Sequence, residues 1–238
     1  MRQTFGPRTA PGSTWTTPFD TTEVRWFATG TLPGSVSKWF RDSGPAPIVE
    51  TRRDTYWMQA SHDVGLKSRN NGPLEIKLCL SRSGDFDLGE GILGHIEEWR
   101  KAPLKTLHEV NGSAHWRWSE VHKRVVTRTY GPDVNGRLVP IVTTDLPPTG
   151  CDIELATVSV GDTLAWTFAF EAWGPRERRL ELLDGSWRAF RQNASLPPIE
   201  LGRLGISAGY PEWLATVAWQ GEVLEGAPAG RSTPLRAC

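Results

Sequence analysis

The sequence predicts an α+β domain built mainly of antiparallel β-structure. About eight short segments alternate apolar and polar residues, as half-buried strands do. Glycine, proline, asparagine or aspartate lies close to most of the segment ends, where strands are usually interrupted. Four further stretches have helical spacing, but they do not alternate regularly with the strands, so a doubly wound parallel sheet is not expected.

The predicted strands follow one another with short connections. They cover residues 22–29, 54–59, 64–69, 74–80, 115–118, 123–130, 151–158 and 164–173. The sequence Asn70-Asn71-Gly72-Pro73 lies between the third and fourth segments. Because asparagine and glycine tolerate the left-handed backbone of a tight turn, this sequence predicts a hairpin.

The predicted helices have apolar residues at three- and four-residue steps, which is the spacing of one helix face. Their apolar residues are Val36, Trp39 and Phe40; Ile92, Ile96 and Trp99; Leu180, Leu183, Trp187 and Phe190; and Trp213, Leu214 and Val217. Pro33 suits the first position of the first helix, and Pro103 would end the second. We therefore expect a few helices flanking the sheet.

The composition restricts the classes of function. The 238 residues carry 27 lysines and arginines and 27 aspartates and glutamates, so we do not expect a nucleic-acid-binding protein. No apolar run approaches the roughly 18 residues of a membrane span. Three widely spaced cysteines and the lack of an apolar signal stretch favour a cytoplasmic protein.

The two ends of the chain differ from its body. Residues 1–20 and 226–238 are rich in proline, glycine, serine and threonine, and we predict that both are disordered tails. One folded domain is expected over residues 21–225. The sequence leaves a monomer and a homodimer both open.

Charged residues recur on one face of successive predicted strands, since residues two apart share a face. They are Glu23 and Arg25; Lys67 and Arg69; Glu75 and Lys77; Arg124 and Arg128; Asp152 and Glu154; and Glu171. One explanation is a sheet with this face in water. The other is a sheet that closes with its charged faces inward, where the cations could hold an anion and the carboxylates could hold Mg²⁺ or Mn²⁺.

The order of these segments resembles the CYTH superfamily of triphosphate tunnel enzymes, which includes thiamine triphosphatases, inorganic triphosphatases and class IV adenylate cyclases. The resemblance covers about residues 22–220. The matching segments are Glu23-Val24-Arg25-Trp26-Phe27, Asp54-Thr55-Tyr56, Gly65-Leu66-Lys67-Ser68-Arg69, Leu74-Glu75-Ile76-Lys77, the stretch from Arg124 to Arg128, Asp152-Ile153-Glu154, Phe170-Glu171 and Gly209-Tyr210-Pro211-Glu212-Trp213-Leu214.

The resemblance implies a closed eight-stranded tunnel barrel with a few flanking helices over residues 21–225. It implies a small di- or triphosphate ligand inside the tunnel and Mg²⁺ or Mn²⁺ as cofactor. The substrate-binding positions carried over are Tyr56, Lys67, Arg69, Lys77, Arg124 and Arg128, with Arg25 as a further phosphate-binding cation. The catalytic and metal-binding positions are Glu23, Glu154 and Glu171, with Asp152 and Glu75 as further metal-ligand candidates.

Three departures from the family pattern affect the expected activity. Arg25 and Phe27 replace a carboxylate and a basic residue of the first strand, and Ala169 stands where a second glutamate would accompany Glu171. Three functions therefore stay open. The first is metal-dependent cleavage of a di- or triphosphate, and the second is phosphate binding without turnover. The third is metal-dependent loss of diphosphate from an isoprenoid diphosphate, which the 12 tryptophans would favour through contacts with a carbocation.

Overall fold

The structure is a computed structural model that describes residues 17–58, 61–104, 117–142 and 147–225. Within this part the chain forms a single large antiparallel sheet with three α-helices. The strands are β1 (Phe19–Thr29), β2 (Ile48–Met58), β3 (Val64–Arg69), β4 (Leu74–Asp87), β5 (Leu93–Leu104), β6 (Arg117–Pro132), β7 (Leu138–Ile141), β8 (Gly150–Val160), β9 (Thr163–Trp173) and β10 (Ile206–Ser207), and the helices are α1 (Gly34–Asp42), α2 (Arg179–Asn193) and α3 (Tyr210–Glu225).

The sheet closes into a barrel. Eight strands follow one another around it in the order β1-β5-β4-β3-β2-β6-β8-β9, and β9 then pairs with β1 to complete the ring. In this last pairing Glu23 lies opposite Glu171, and Arg25 lies opposite Ala169. The strands β7 and β10 are additions on β6 and β1. The predicted α+β fold with a closed eight-stranded barrel is therefore confirmed.

The main apolar core lies outside the barrel, between its wall and the helices α1 and α2. Alternate residues of β1, among them Val24 and Trp26, face outward into this core. They meet Phe40 from α1 and Phe190 from α2, both fully buried. Because the outward residues fill this core, their neighbours on each strand must face the barrel interior.

A second apolar cluster lies at one end of the barrel, where α3 packs against the strands. Trp213 stacks on Phe27 with ring centroids 4.5 Å apart, and Tyr210 stacks on Tyr56 at 5.7 Å. Pro211 approaches Gly65 so closely that a Cβ at this glycine would lie 3.0 Å from the proline ring. The helix α3 therefore covers this end, and the ionic side chains described below occupy the rest of the interior.

Most local predictions are confirmed. The first, third and fourth predicted helices are α1, α2 and α3. The β3–β4 hairpin turns at Asn70 and Asn71, whose φ angles are 49° and 58°. The Gly72 N–H donates to the Arg69 carbonyl at 2.8 Å, so the connection has the left-handed central residues typical of two-residue hairpins.

The second predicted helix is wrong, because residues 93–104 form strand β5. Ile92 and Ile96 pack against the outer core, whereas Trp99 faces the barrel interior. The three- and four-residue steps between these residues therefore combine two opposite faces of a strand.

The chain ends agree only in part with the predicted boundaries. The strand β1 begins at Phe19, so residues 19 and 20 belong to the sheet rather than to the predicted tail. Residues 1–16 and 226–238, and the predicted strand residues 115–116, lie outside the described residues. Among the helices that are described, none combines the length and the apolar character needed to cross a membrane.

Arg128 and Arg124 lie on the outer face of β6, which corrects their predicted place beside the phosphate. The buried Arg128 guanidinium donates to the carbonyls of Phe40 at 3.1 Å, Arg41 at 2.6 Å and Pro45, where α1 ends. Arg124 is exposed. The outward face of β6 carries Val126 in the outer core, so the odd-numbered residues of this strand face the interior instead.

We predict that Arg128→Ala lowers the free energy of unfolding by about 3 kcal/mol, because the carbonyls at the end of α1 lose a charged donor. Urea denaturation of both proteins measures the difference. Arg124→Ala is the matched control, since it removes an exposed arginine four residues away on the same face of β6. Its effect on the free energy of unfolding should stay within about 0.5 kcal/mol. Equal stability of the two variants would contradict the helix-capping role.

Candidate functional site

One wall of the barrel interior is basic. It is formed by β2, β3 and β6, and its cations surround the fully buried Asp54. Lys123 Nζ lies 2.9 Å from Asp54 Oδ2, and Lys67 Nζ lies 3.8 Å from the same oxygen. Arg52 Nε lies 3.5 Å from Asp54 Oδ1, and Arg69 is paired with Asp54 in the β2–β3 register. Three cations therefore lie within 4 Å of Asp54, and two of them have a second carboxylate nearby: Glu50 Oε2 lies 3.0 Å from Arg52 Nη1, and Glu75 Oε2 lies 3.6 Å from Lys67 Nζ.

At this wall the pKa values of Asp54, Lys67 and Lys123 are all lowered. Burial alone would raise the pKa of Asp54, but the attraction of Lys123 and Lys67 outweighs it and holds that pKa well below its usual range. Burial and the repulsion of Arg69 lower the pKa of Lys67 to about 8. Burial also lowers the pKa of Lys123 well below its ordinary value. These lysines would be stabilised as cations by a further anion in the interior.

The opposite wall, formed by β8, β9 and β1, carries carboxylates. Its three glutamates, Glu23, Glu154 and Glu171, are each close to a cation from within the barrel. Lys101 Nζ lies 2.7 Å from Glu23 Oε1 and 2.6 Å from Glu171 Oε2, so it bridges two strands. Lys77 Nζ donates to Glu23 Oε2 at 2.6 Å. Burial disfavours the ionised form of Glu23, but Lys101 and Lys77 hold its pKa well below the usual range.

Arg25 and Glu154 form a third buried ion pair on this wall. The guanidinium donates to Glu154 Oε1 at 2.9 Å and to Thr167 Oγ1 at 3.0 Å. It also lies over the Tyr210 ring, 4.8 Å from the centroid. Burial opposes ionisation of Glu154, but Arg25 and Arg52 outweigh it and lower the pKa of Glu154 to about 2. Arg25 is therefore a counter-ion for the carboxylate wall.

The carboxylates of this wall do not fit the predicted divalent metal. A bound Mg²⁺ or Mn²⁺ needs several oxygens directed at one point. Here an ammonium lies between Glu23 and Glu171, and a guanidinium is hydrogen-bonded to Glu154. Asp152 Oδ1 accepts a hydrogen bond from the Thr129 hydroxyl at 2.7 Å. In the described ranges no three acidic, histidine or cysteine side chains converge on a common metal position.

The barrel interior brings together most of the residues that the sequence singled out. They are Glu23, Arg25, Tyr56, Lys67, Arg69, Glu75, Lys77, Asp152, Glu154 and Glu171. Tyr56 accepts a hydrogen bond from Lys123 at 2.7 Å, and Glu75 lies 3.6 Å from Lys67. Arg124 and Arg128 are not part of this group.

Sequence reasoning missed several residues of the interior. Lys101 lies in β5, which was predicted as a helix, and Arg52 precedes the predicted second strand. Lys123 is the immediate neighbour of Arg124, the residue that was predicted to bind the substrate. Trp99 is fully buried beneath Lys77, whose Nζ lies 4.3 Å from the ring centroid. Alternation within β5, once recognised as a strand, would have placed Trp99 and Lys101 on one face.

We predict that acid destabilises the barrel through these carboxylates. Their pKa values are lowered by folding, so their stabilisation is present above the unfolded pKa, near 4.5 for glutamate, and is lost as pH falls through the folded value. Glu154 alone should contribute on the order of 3 kcal/mol between pH 5 and pH 2. Urea denaturation across this pH range measures the effect.

The double variant Arg25→Met with Glu154→Gln is the control for this prediction. It removes one ion pair and should flatten part of the pH dependence. A free energy of unfolding that stays constant from pH 5 to pH 2 in the unmodified protein would contradict the prediction.

Comparison with known proteins gives structural similarities only. No protein-family model matches the chain, and no curated protein matches it in sequence. The PH1819 protein from Pyrococcus horikoshii OT3 is 12% identical with a TM-score of 0.38, over 83% of this chain and 99% of that one. Two structures of the S. pombe Pct1 RNA triphosphatase, one of them in complex with the Spt5 CTD, are 10% and 11% identical with TM-scores of 0.35 and 0.36, over 74% of this chain and 81% and 80% of theirs. We infer neither family membership nor function from values this low.

Proposed function

We propose that the barrel interior binds a small molecule bearing linked phosphates, held by the basic wall of β2, β3 and β6. This proposal is carried by the cluster of four cations, Arg52, Lys67, Arg69 and Lys123, beside the buried Asp54, with Glu50 and Glu75 as further carboxylates nearby. Lysine and arginine donate strong charge-assisted hydrogen bonds to phosphate oxygens. A phosphate group would supply the negative charge that these cations lack.

The arrangement of the cations favours a di- or triphosphate over a single phosphate. Lys67 and Arg69 are two residues apart on β3, so their backbones are separated by roughly 7 Å along the strand. Lys77 lies on the neighbouring strand, where Gly65 is its direct partner. Lys67 and Arg69 would contact successive phosphate groups of one chain, whereas the Lys77 ammonium is held by Glu23.

The interior also retains access to water. The side chains of Lys67, Lys77 and Glu154 keep 16%, 19% and 20% of their surface exposed, although they point into the barrel. The helix α3 covers one end, so we propose that the ligand enters at the other.

Of the three functions that the sequence left open, phosphate binding without metal-dependent turnover has the most support. The carboxylates that a metal would need are hydrogen-bonded to lysine and arginine. An isoprenoid substrate has less support, because Trp26 and Trp166 lie in the outer core and the interior Trp99 is engaged by Lys77. Release of phosphate or diphosphate from bound ligand would instead favour an enzyme.

We further propose that the chain is a divergent CYTH superfamily member. The closed antiparallel barrel and the inward position of Glu23, Lys67, Arg69, Lys77, Glu154 and Glu171 support this proposal.

We predict that Arg69→Ala weakens binding of tripolyphosphate by about 10- to 150-fold, the equivalent of one lost charge-assisted hydrogen bond. The Arg69 Nε is buried and has no hydrogen-bond partner among the described residues, so it is available to a ligand. Isothermal titration calorimetry in EDTA measures the affinity. Arg124→Ala removes an exposed arginine as the control and should bind like the unmodified protein. Equal affinities for both variants would refute this wall as the binding surface.

We also predict that affinity for tripolyphosphate falls as pH rises through about 8, where Lys67 loses its proton. Tripolyphosphate only gains negative charge as the pH rises, so a fall in affinity reports the protein, and a decrease of about ten-fold is expected between pH 7 and pH 9. The Lys67→Arg variant keeps its charge at this position and should show a smaller decrease. The same decrease in both proteins would show that Lys67 does not contribute.

A further inference from the structure

Both carboxylate oxygens of Glu23 are bound by side chains of the protein. Its Oε1 accepts from the Thr21 hydroxyl at 2.8 Å and lies 2.7 Å from Lys101 Nζ. Its Oε2 accepts from Lys77 Nζ at 2.6 Å. The side chains of Glu23 and Lys101 are 5% and 8% exposed, so these contacts are shielded from water. A metal ion could reach Glu23 only by displacing an ammonium group.

Lys101 occupies the place that a bridging cation would take. Its Nζ lies within 2.7 Å of carboxylate oxygens on two adjacent strands, Glu23 on β1 and Glu171 on β9. We propose that Lys101 is a built-in counter-ion that replaces a divalent metal, so that the barrel binds its phosphate ligand without one. This inference rests on the proposed phosphate-binding function and concerns the means by which the same site binds.

Lys77 and Arg25 are further counter-ions of the carboxylate wall. Lys77 is held between Glu23 and the face of Trp99, and Trp99 is itself fixed because its Nε1 donates to Glu97 Oε2 at 2.9 Å. Arg25 pairs with Glu154. An uncompensated carboxylate wall would repel a polyphosphate across the narrow interior, and these tethered cations remove that repulsion.

The position of Lys101 also makes it unfavourable for a metal ion to replace its ammonium group. Lys77 and Lys101 are direct partners in the β4–β5 register, and they share Glu23 as a counter-ion. A metal bound at Glu23 and Glu171 would leave two lysines opposite each other, buried and repelling. Removing a counter-ion from a buried charge is strongly unfavourable. A hydrated Mg²⁺ would in addition have to lose water to enter.

The test combines two titrations of the full chain. In the first, tripolyphosphate is titrated by calorimetry in EDTA and in Mn²⁺, and we expect the two affinities to agree within about two-fold. In the second, Mn²⁺ alone is titrated and followed by electron paramagnetic resonance, and we expect no lumenal site. Tripolyphosphate affinity that rises at least ten-fold with Mn²⁺, or an Mn²⁺ site that Glu171→Gln abolishes, would overturn the proposal.

The variant Lys101→Met provides the converse test. It removes the ammonium that lies between Glu23 Oε1 and Glu171 Oε2, so the variant should gain a site for Mn²⁺ and lose about ten-fold or more of its tripolyphosphate affinity in EDTA. Arg124→Met is the control and should behave as the unmodified chain in both titrations. A folded Lys101→Met protein with unchanged Mn²⁺ and tripolyphosphate binding would also overturn the proposal.

The outcomes separate this proposal from the proposed function. If the unmodified chain binds no tripolyphosphate in either buffer, the phosphate-binding function fails, while the Mn²⁺ titration still tests the counter-ion role of Lys101. If it binds tripolyphosphate only with Mn²⁺, the function stands and the counter-ion proposal fails. The titrations of the unmodified chain need no variant, so they decide the matter even if Lys101→Met does not fold.

Discussion

The pairing of β9 with β1 is the constraint on which the rest of the structure depends. It joins the last long strand to the first and leaves no free edge in the eight-stranded ring. Once the ring is closed, alternate side chains of every strand must face its interior. Charged residues that a flat sheet would expose to water are therefore held close together, and each must find a partner across or along the barrel wall.

Those partnerships divide the interior into two unequal walls. On one, several cations lie close to Asp54, and burial lowers the pKa values of Lys67 and Lys123. On the other, the carboxylates are matched by cations that reach them from neighbouring strands, such as Lys101. The chain has no net formal charge, so its electrostatic character is local. Because the interior is shielded from water, its ion pairs are strong. For the same reason an anion would be stabilised at the basic wall.

Local sequence signals predicted the fold well because they depend on neighbours along the chain. The asparagine pair of the β3–β4 turn and the apolar stripe of α2 are examples. The site was harder to predict. Both faces of β6 carry basic residues, and alternation alone cannot tell that Lys123 faces inward while Arg128 caps a helix about 85 positions earlier in the chain. In β5, Ile96 and Trp99 pack on opposite sides of the sheet, but their three-residue spacing also fits one face of a helix, so the local pattern alone did not identify the strand.

The helix α3 brings the end of the described chain onto residues from its beginning. Tyr210 contacts Arg25 and Phe27 of β1 and Lys123 of β6, two strands almost 100 residues apart in the chain. During synthesis these residues meet their aromatic cover only after nearly the whole domain has left the ribosome. Until then the ring can form, but its base is uncovered. The aromatic cover of the ionic interior is therefore added last, and a nascent chain interrupted before α3 would lack it.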